Sequence, residues 1–134
     1  MLLQPRKSKY KKVRKGKLPR LEFRANRLRF GTIGLKAAES GTISARQIEA
    51  ARQAITRKIK RKGKVWIRIF PSLPITSKPT EVRMGKGKGS VSHWATKVGG
   101  GTVLFELCGV TLNVAITAFQ TGGAKLPIKT KVFT

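Results

Sequence analysis

The sequence predicts an α+β fold, an antiparallel β-sheet with two helices, carried behind a basic, extended N-terminal arm. Three observations lead there. Segment 44–62 repeats apolar residues at helical spacing behind a capping box. Segment 64–70 alternates with period 2, as a half-buried strand does. Residues 1–30 hold 12 Lys and Arg against the single Glu22 and too few apolar residues for a core of their own. A chain of 134 residues fits one domain, so the reading is an arm over 1–30 and a single α+β domain over 31–134.

The arm repels itself in water and is expected to order only against phosphate. A removable leader or a solubility tail is the alternative, although Pro5, Gly16 and Pro19 among Lys clusters do not suit an amphipathic, Ser-rich leader. Gly31 to Gly41 reads as a short strand and turn. Ser44 and Gln47 then form the capping box, and Ile48, Ala51, Ile55 and Ile59 line one helix face. Lys58 to Lys62 crowd the last turn, where cations suit the helix dipole, and Gly63 is the expected stop. In Lys64 to Phe70, Val65, Ile67 and Ile69 point one way and Trp66, Arg68 and Phe70 the other. Pro71 ends that strand, and Pro74 and Pro79 bracket an extended loop. Glu81 to Met84 suits a short strand leading into the glycine-rich segment 85–89. Val91 to Val98 and Thr102 to Leu107 read as a hairpin joined through Gly99, Gly100 and Gly101. Val110 to Gln120 fits either a helix, by Leu112, Ala115, Ile116 and Phe119, or a strand, by its β-branched residues; length and spacing favour the helix. Lys125 to Thr134 closes as a basic extended tail.

Composition excludes much chemistry. The chain has no Asp and only five Glu (22, 39, 49, 81 and 106), so paired-carboxylate catalysis and carboxylate-bound metals have little to work with. Cys108 stands alone with His93, which excludes an intrachain disulfide framework and a Cys/His zinc cluster. No apolar run approaches the roughly 20 residues that span a bilayer. Neither enzyme activity, nor a metal, nor a cofactor is expected. A net charge of +25 instead calls for a dense polyanion, with nucleic acid first.

The sharpest candidate is the loop 83–90. Gly85, Gly87 and Gly89 permit positive φ and close backbone approach, so main-chain N–H groups can reach phosphate. Lys86 and Lys88 add charge, and Arg83 offers a planar fork for phosphate or a base. The lysines precede the last glycine and the flanks look like strands, so neither a P-loop nor a dinucleotide fingerprint is present. A plain flexible hairpin tip stays open. The basic face of the helix supplies Arg57, Lys60 and Arg61, with a merely solvated face as the bland alternative. Trp66 and Phe70 resemble a base-stacking platform only superficially, and core packing is favoured for at least one of them. Trp94 can stack or pack, His93 lacks a matched nucleophile, and Cys108 reads as a small buried residue.

Leu3-Gln-Pro5, Phe30-Gly31 with Gly34-Leu-Lys36, and Ser44-Ala-Arg-Gln-Ile-Glu-Ala-Ala-Arg52 resemble the large-subunit ribosomal protein family called L-sixteen. So do Lys64 to Pro71, Pro74-Ile-Thr76 with Lys78-Pro79, Glu81 to Gly89 and Lys125 to Thr130, in order over nearly the whole chain. The resemblance implies the α/β-hammerhead type of fold, no homo-oligomer, and a place on large-subunit rRNA beside neighbouring ribosomal proteins, where the family helps shape the aminoacyl-tRNA site. It implies rRNA contact by the arm (Lys7, Lys9, Lys11, Lys12, Arg14, Lys15 and Lys17), to which Arg57, Lys60, Arg61 and Lys64 are added. It places Arg83, Met84, Gly85, Lys86, Gly87, Lys88 and Gly89 in the loop near A-site tRNA and the peptidyl-transferase region. Relatives usually carry a Pro-Gly turn in place of Gly99–Gly101 and a charge-rich second helix, whereas Val110 to Gln120 has no charge. That departure, with a start falling where the family begins, favours a mitochondrial ribosome, then a bacterial one, then the plastid. The rival function is a free-standing basic nucleic-acid chaperone.

Overall fold

The structure, a computed structural model, describes residues 3–134. Its elements run β1 (Ile33–Ala37), β2 (Gly41–Ser44), α1 (Ala45–Lys58), β3 (Lys64–Ile67), β4 (Leu73–Ser77), β5 (Ser90–Val98), β6 (Val103–Cys108), α2 (Leu112–Gly123) and β7 (Thr130–Phe133). All strand pairs between them are antiparallel, in one sheet of order β3-β6-β1-β7 and another of order β2-β5-β4. The α+β class and the two helices stand as expected, with two sheets in place of one.

Strand β6 is the centre of the fold. Val103 to Leu107 are all buried. Successive strand residues face opposite sides, so both faces of the sheet must be covered at this strand. The core joins β1 and β6 to both helices, through Leu35, Phe105, Leu107, Ile48, Ile55 and Phe119 among others. α1 begins as its sequence dictates: Ser44 Oγ accepts from Gln47 N at 3.3 Å, and Ser44 N donates to Gln47 Oε1 at 2.9 Å. Its buried stripe, Ile48, Ala51 and Ile55, meets the small face of α2, Ala115, Ala118 and Gly122. A Cβ on Gly122 would come within 2.5 Å of Ile55 Cγ1, so this glycine sets how closely the two helices approach.

Several expectations are corrected. α1 stops at Lys58, short of 62, because Lys60 and Arg61 adopt φ of 52° and 61° before Gly63 at 74°. The Pro-bracketed loop contains a strand, β4; it lies at a sheet edge, where Pro74 need not donate to a second neighbour. Glu81 to Met84 form turns and bends, with no strand. β5 and β6 are no hairpin, since they belong to different sheets and Gly99–Gly101 is the crossing between them. α2 runs Leu112–Gly123, so the helix expected over Val110 to Gln120 starts later and continues through Gly122 and Gly123. The closing tail is partly a strand, with Gly34 to Ala37 of β1 paired to Thr130 to Phe133.

Candidate nucleic-acid interface

Arm and loop meet. Lys12 Nζ donates to Lys88 O at 2.6 Å, and Lys88 Nζ donates back to Val13 O at 2.7 Å. Further along, Lys97 Nζ on β5 donates to Lys17 O at 3.1 Å. Backbone carbonyls of one cationic segment thus accept from the ammonium groups of another, which holds like-charged chains together without a carboxylate between them. The loop itself turns through three successive positive φ values, 95° at Gly85, 50° at Lys86 and 85° at Gly87. Lys78 Nζ, bonded to Gly85 O, braces its base. Nothing lies within 4 Å of a Cβ built on Gly85 or Gly87, so the tip stands clear of the domain. Arg83, Met84, Lys86 and Lys88 are all exposed, Met84 to 93%. Lys7, Lys9, Lys11, Lys12, Arg14, Lys15 and Lys17 are exposed too, along a chain without regular structure.

The second expected group, Arg57, Lys60, Arg61 and Lys64, lies around the end of α1 and the start of β3, again exposed. No hydrogen bond joins it to the arm or loop among the described residues. Two consecutive left-handed non-glycine residues present the cations of Lys60 and Arg61 here, a backbone conformation costing roughly 1–2 kcal/mol at each. Arg57 and Arg61 border one shallow groove with Arg52, Gln53 and Thr56, an arrangement of guanidinium, amide and hydroxyl donors suited to phosphate oxygens.

The arm is fastened to the domain by a device that sequence reading did not find. Glu106, wholly buried on β6, turns its carboxylate to the chain entering β1. Oε2 accepts from Phe30 N at 2.6 Å and Gly31 N at 2.7 Å, Arg29 N reaches both oxygens at 3.2 Å, and Arg68 pairs with Oε1. Burial, the largest single influence, pushes this carboxyl upward; the N–H groups of Gly31 and Phe30, with Arg68, outweigh it and hold it below the usual glutamate range. The available signal was one acid inside an otherwise apolar strand, Val-Leu-Phe-Glu-Leu. Further back, Leu21 bridges Gly100, with Glu22 N donating to Gly100 O at 3.0 Å and Gly100 N to Arg20 O at 3.1 Å. Glu22 itself accepts from Arg24 N and Ala25 N, which hold its carboxyl low.

The aromatic expectations divide. Trp66 is half-buried and stacks on Phe30, with ring centroids 6.1 Å apart and planes 20° apart. Phe70 is half exposed. Trp94 and Cys108 are half-buried, and His93 is exposed with only Ser92 Oγ at 3.3 Å as a side-chain partner. Among the described residues no group of three or more His, Cys, Asp or Glu could hold a metal ion, and no helix is long and apolar enough to cross a membrane.

Comparison with known proteins gives the family. A family profile described as ribosomal protein L16p/L10e matches residues 5–133. Two bacterial proteins, from Bartonella henselae and Bartonella bacilliformis, each called large ribosomal subunit protein uL16, are similar over nearly their whole length. Each is 57% identical over 130 residues, which cover 97% of this chain and 95% of the relative.

Proposed function

This chain belongs to the ribosomal protein L16p/L10e family, and on that premise we propose that it binds large-subunit rRNA and helps shape the aminoacyl-tRNA site. Its role in the large subunit is structural rather than enzymatic. In this reading residues 1–30 are the rRNA-binding arm and 31–134 the single domain. Lys7 to Lys17 and the cluster Arg57, Lys60, Arg61 and Lys64 grip phosphate, and Arg83 to Gly89 reach toward A-site tRNA and the peptidyl-transferase surroundings. The partners are rRNA, that tRNA and neighbouring ribosomal proteins.

One observation supports this above others: the reciprocal bonds between Lys12 and Lys88 O and between Lys88 and Val13 O. They make arm and loop one cationic edge with a free tip, a shape for one fixed polyanionic surface rather than for bulk nucleic acid. We place that ribosome in the mitochondrial matrix, on the strength of the charge-free α2. The bacterial cytoplasm is the alternative that the bacterial relatives favour, and the plastid comes third.

Sedimentation of tagged protein from its native extract, with salt stepped upward, tests the assignment. Co-migration with the large subunit after loosely held basic proteins have washed off is the expected result, and the rRNA in that particle identifies the compartment. Release at modest salt onto bulk nucleic acid would overturn the reading in favour of the chaperone.

A further inference from the structure

We propose that Phe30, stacked on Trp66 at the open edge of the four-stranded sheet, is a stacking site for one unpaired RNA base. The proposal rests on the rRNA-binding reading above and adds a ligand class and a residue to it.

Phe30 is 58% exposed, yet it is held. Its backbone N–H is fixed on the buried Glu106 carboxylate at 2.6 Å, and its ring lies beside Trp66 with nearly parallel planes. The Arg68 guanidinium sits 5.5 Å from the Phe30 ring centre and the Lys64 ammonium 5.2 Å from that of Trp66. An exposed aromatic would ordinarily be mobile; Phe23, 78% exposed, has no ring partner among the described residues. Phe30 is preorganised instead, so a base stacking there loses little additional protein entropy.

The surroundings select the ligand. Strand β3, which carries Trp66 and is followed directly by Arg68, is an outer strand of its sheet. Lys64, over the Trp66 ring, and Arg29, next to Phe30 in the chain, are exposed cations that can hold phosphates flanking a base. The acid in this cluster, Glu106, is wholly buried and satisfied by its four donors, so it turns no negative charge outward. Aromatic faces rimmed by cations are how proteins hold single-stranded nucleic acid without reading its sequence. A duplex, whose bases are already stacked, has nothing to offer this site.

The test compares two probes of equal charge, a short oligoadenylate and its abasic ribose-phosphate counterpart, binding to the full chain at fixed salt. Wild type is expected to prefer the oligoadenylate. Phe30→Ala, which keeps the N–H that Glu106 needs, is expected to weaken oligoadenylate binding about tenfold. It should leave abasic binding and the salt slope unchanged. Phe30→Leu, which retains apolar contact with Trp66, should lose the same preference and serves if the alanine variant does not fold by circular dichroism. Equal affinity of wild type and either folded variant for oligoadenylate would overturn the site, as would indifference of wild type to the missing bases. Binding that responds to the arm lysines but not to Phe30 overturns the stacking site alone. Failure of wild type to bind either probe, together with failure to sediment with the subunit, removes the rRNA reading itself.

Discussion

Replacing Glu106 by glutamine should cost far more than its near-identical shape suggests. The carboxylate takes Phe30 N and Gly31 N on one oxygen and Arg68 on the other, with Arg29 N between them. Glutamine offers one accepting oxygen, so its amide N–H groups must face either the Phe30 and Gly31 donors or the Arg68 guanidinium. Either orientation sets donor against donor, and both leave Arg68, whose side chain is 13% exposed, without a counter-charge. Breaking a buried pair from one side costs about 3–5 kcal/mol. For a domain of this size that corresponds to a fall in melting temperature of roughly 11–18 °C.

Thermal unfolding followed by circular dichroism at neutral pH measures this directly. Adding Arg68→Met to Glu106→Gln removes the stranded cation and should restore part of the loss, a coupling that a local packing defect would not show. The pH dependence carries a sign. Glu106 has its folded-state pKa depressed, so its contribution is full above the ordinary glutamate value of about 4.3 and is lost as pH falls through the depressed folded value. The glutamine variant lacks that group and should show a shallower loss of stability in acid. A melting temperature within 2 °C of wild type (about 0.5 kcal/mol), or an unchanged acid limb, would refute the argument.

Gly63→Ala should destabilise by more than about 2 kcal/mol, because φ is 74° and the added Cβ would collide with Cys108 O across the β3–β6 pair; urea unfolding measures it. Ser44→Ala removes the oxygen that caps Gln47 N and should cost about 1 kcal/mol by the same assay, with the fold retained. Arg83→Ala and Lys86→Ala touch no core residue and should leave the melting temperature unchanged while slowing tRNA accommodation on reconstituted subunits; unfolding of either variant would show the loop to be part of the core. Added salt should raise the melting temperature of the free protein by screening its self-repulsion, yet weaken its RNA complex, and parallel titrations by circular dichroism and anisotropy give the two opposite slopes.

What the sequence discloses depends on how local the cause is. The start of α1 is readable because Ser44, Gln47 and the apolar stripe all lie within one segment. Its end is not, because the left-handed turn at Lys60 and Arg61 is followed by Gly63 packed on Cys108 O, a contact made 45 residues away. Strands β2 and β4 are short and flank β5, so their identity comes from pairing and not from pattern. Gly99 to Gly101 looks like a hairpin turn for want of side chains. Only Gly101 needs to be glycine there, for its φ is 95° and Glu22 O of the arm lies 3.2 Å from a Cβ built on it, whereas Gly99 and Gly100 meet the arm at ordinary contact distance. The exposed Gly-Lys loop was legible as a candidate because its chemistry lies in consecutive residues. Phe30 was not, because its partners are residues 66, 68 and 106.

The acids show how a chain with a net charge of +25 can fold without neutralising the surface it uses. Glu22 accepts two N–H groups at the turn of the arm, and Glu39 accepts Lys129 N at 2.9 Å, tying the end of β1 to the approach of β7. Glu106 gathers the backbone at residues 29–31. Glu49 pairs with Arg52 within its own helix. Three of the five acids, Glu22, Glu39 and Glu106, therefore receive backbone N–H groups, and among the described residues only Arg52 and Arg68 form ion pairs. The acids act as clasps on the main chain while the apolar core supplies the bulk of the cohesion. Lysines of the arm, the loop and β5 bond to carbonyls, which hold the ammonium in place and leave its charge intact. A polyanion arriving at that edge meets cations already positioned and not yet neutralised, so binding does not first require breaking internal salt bridges.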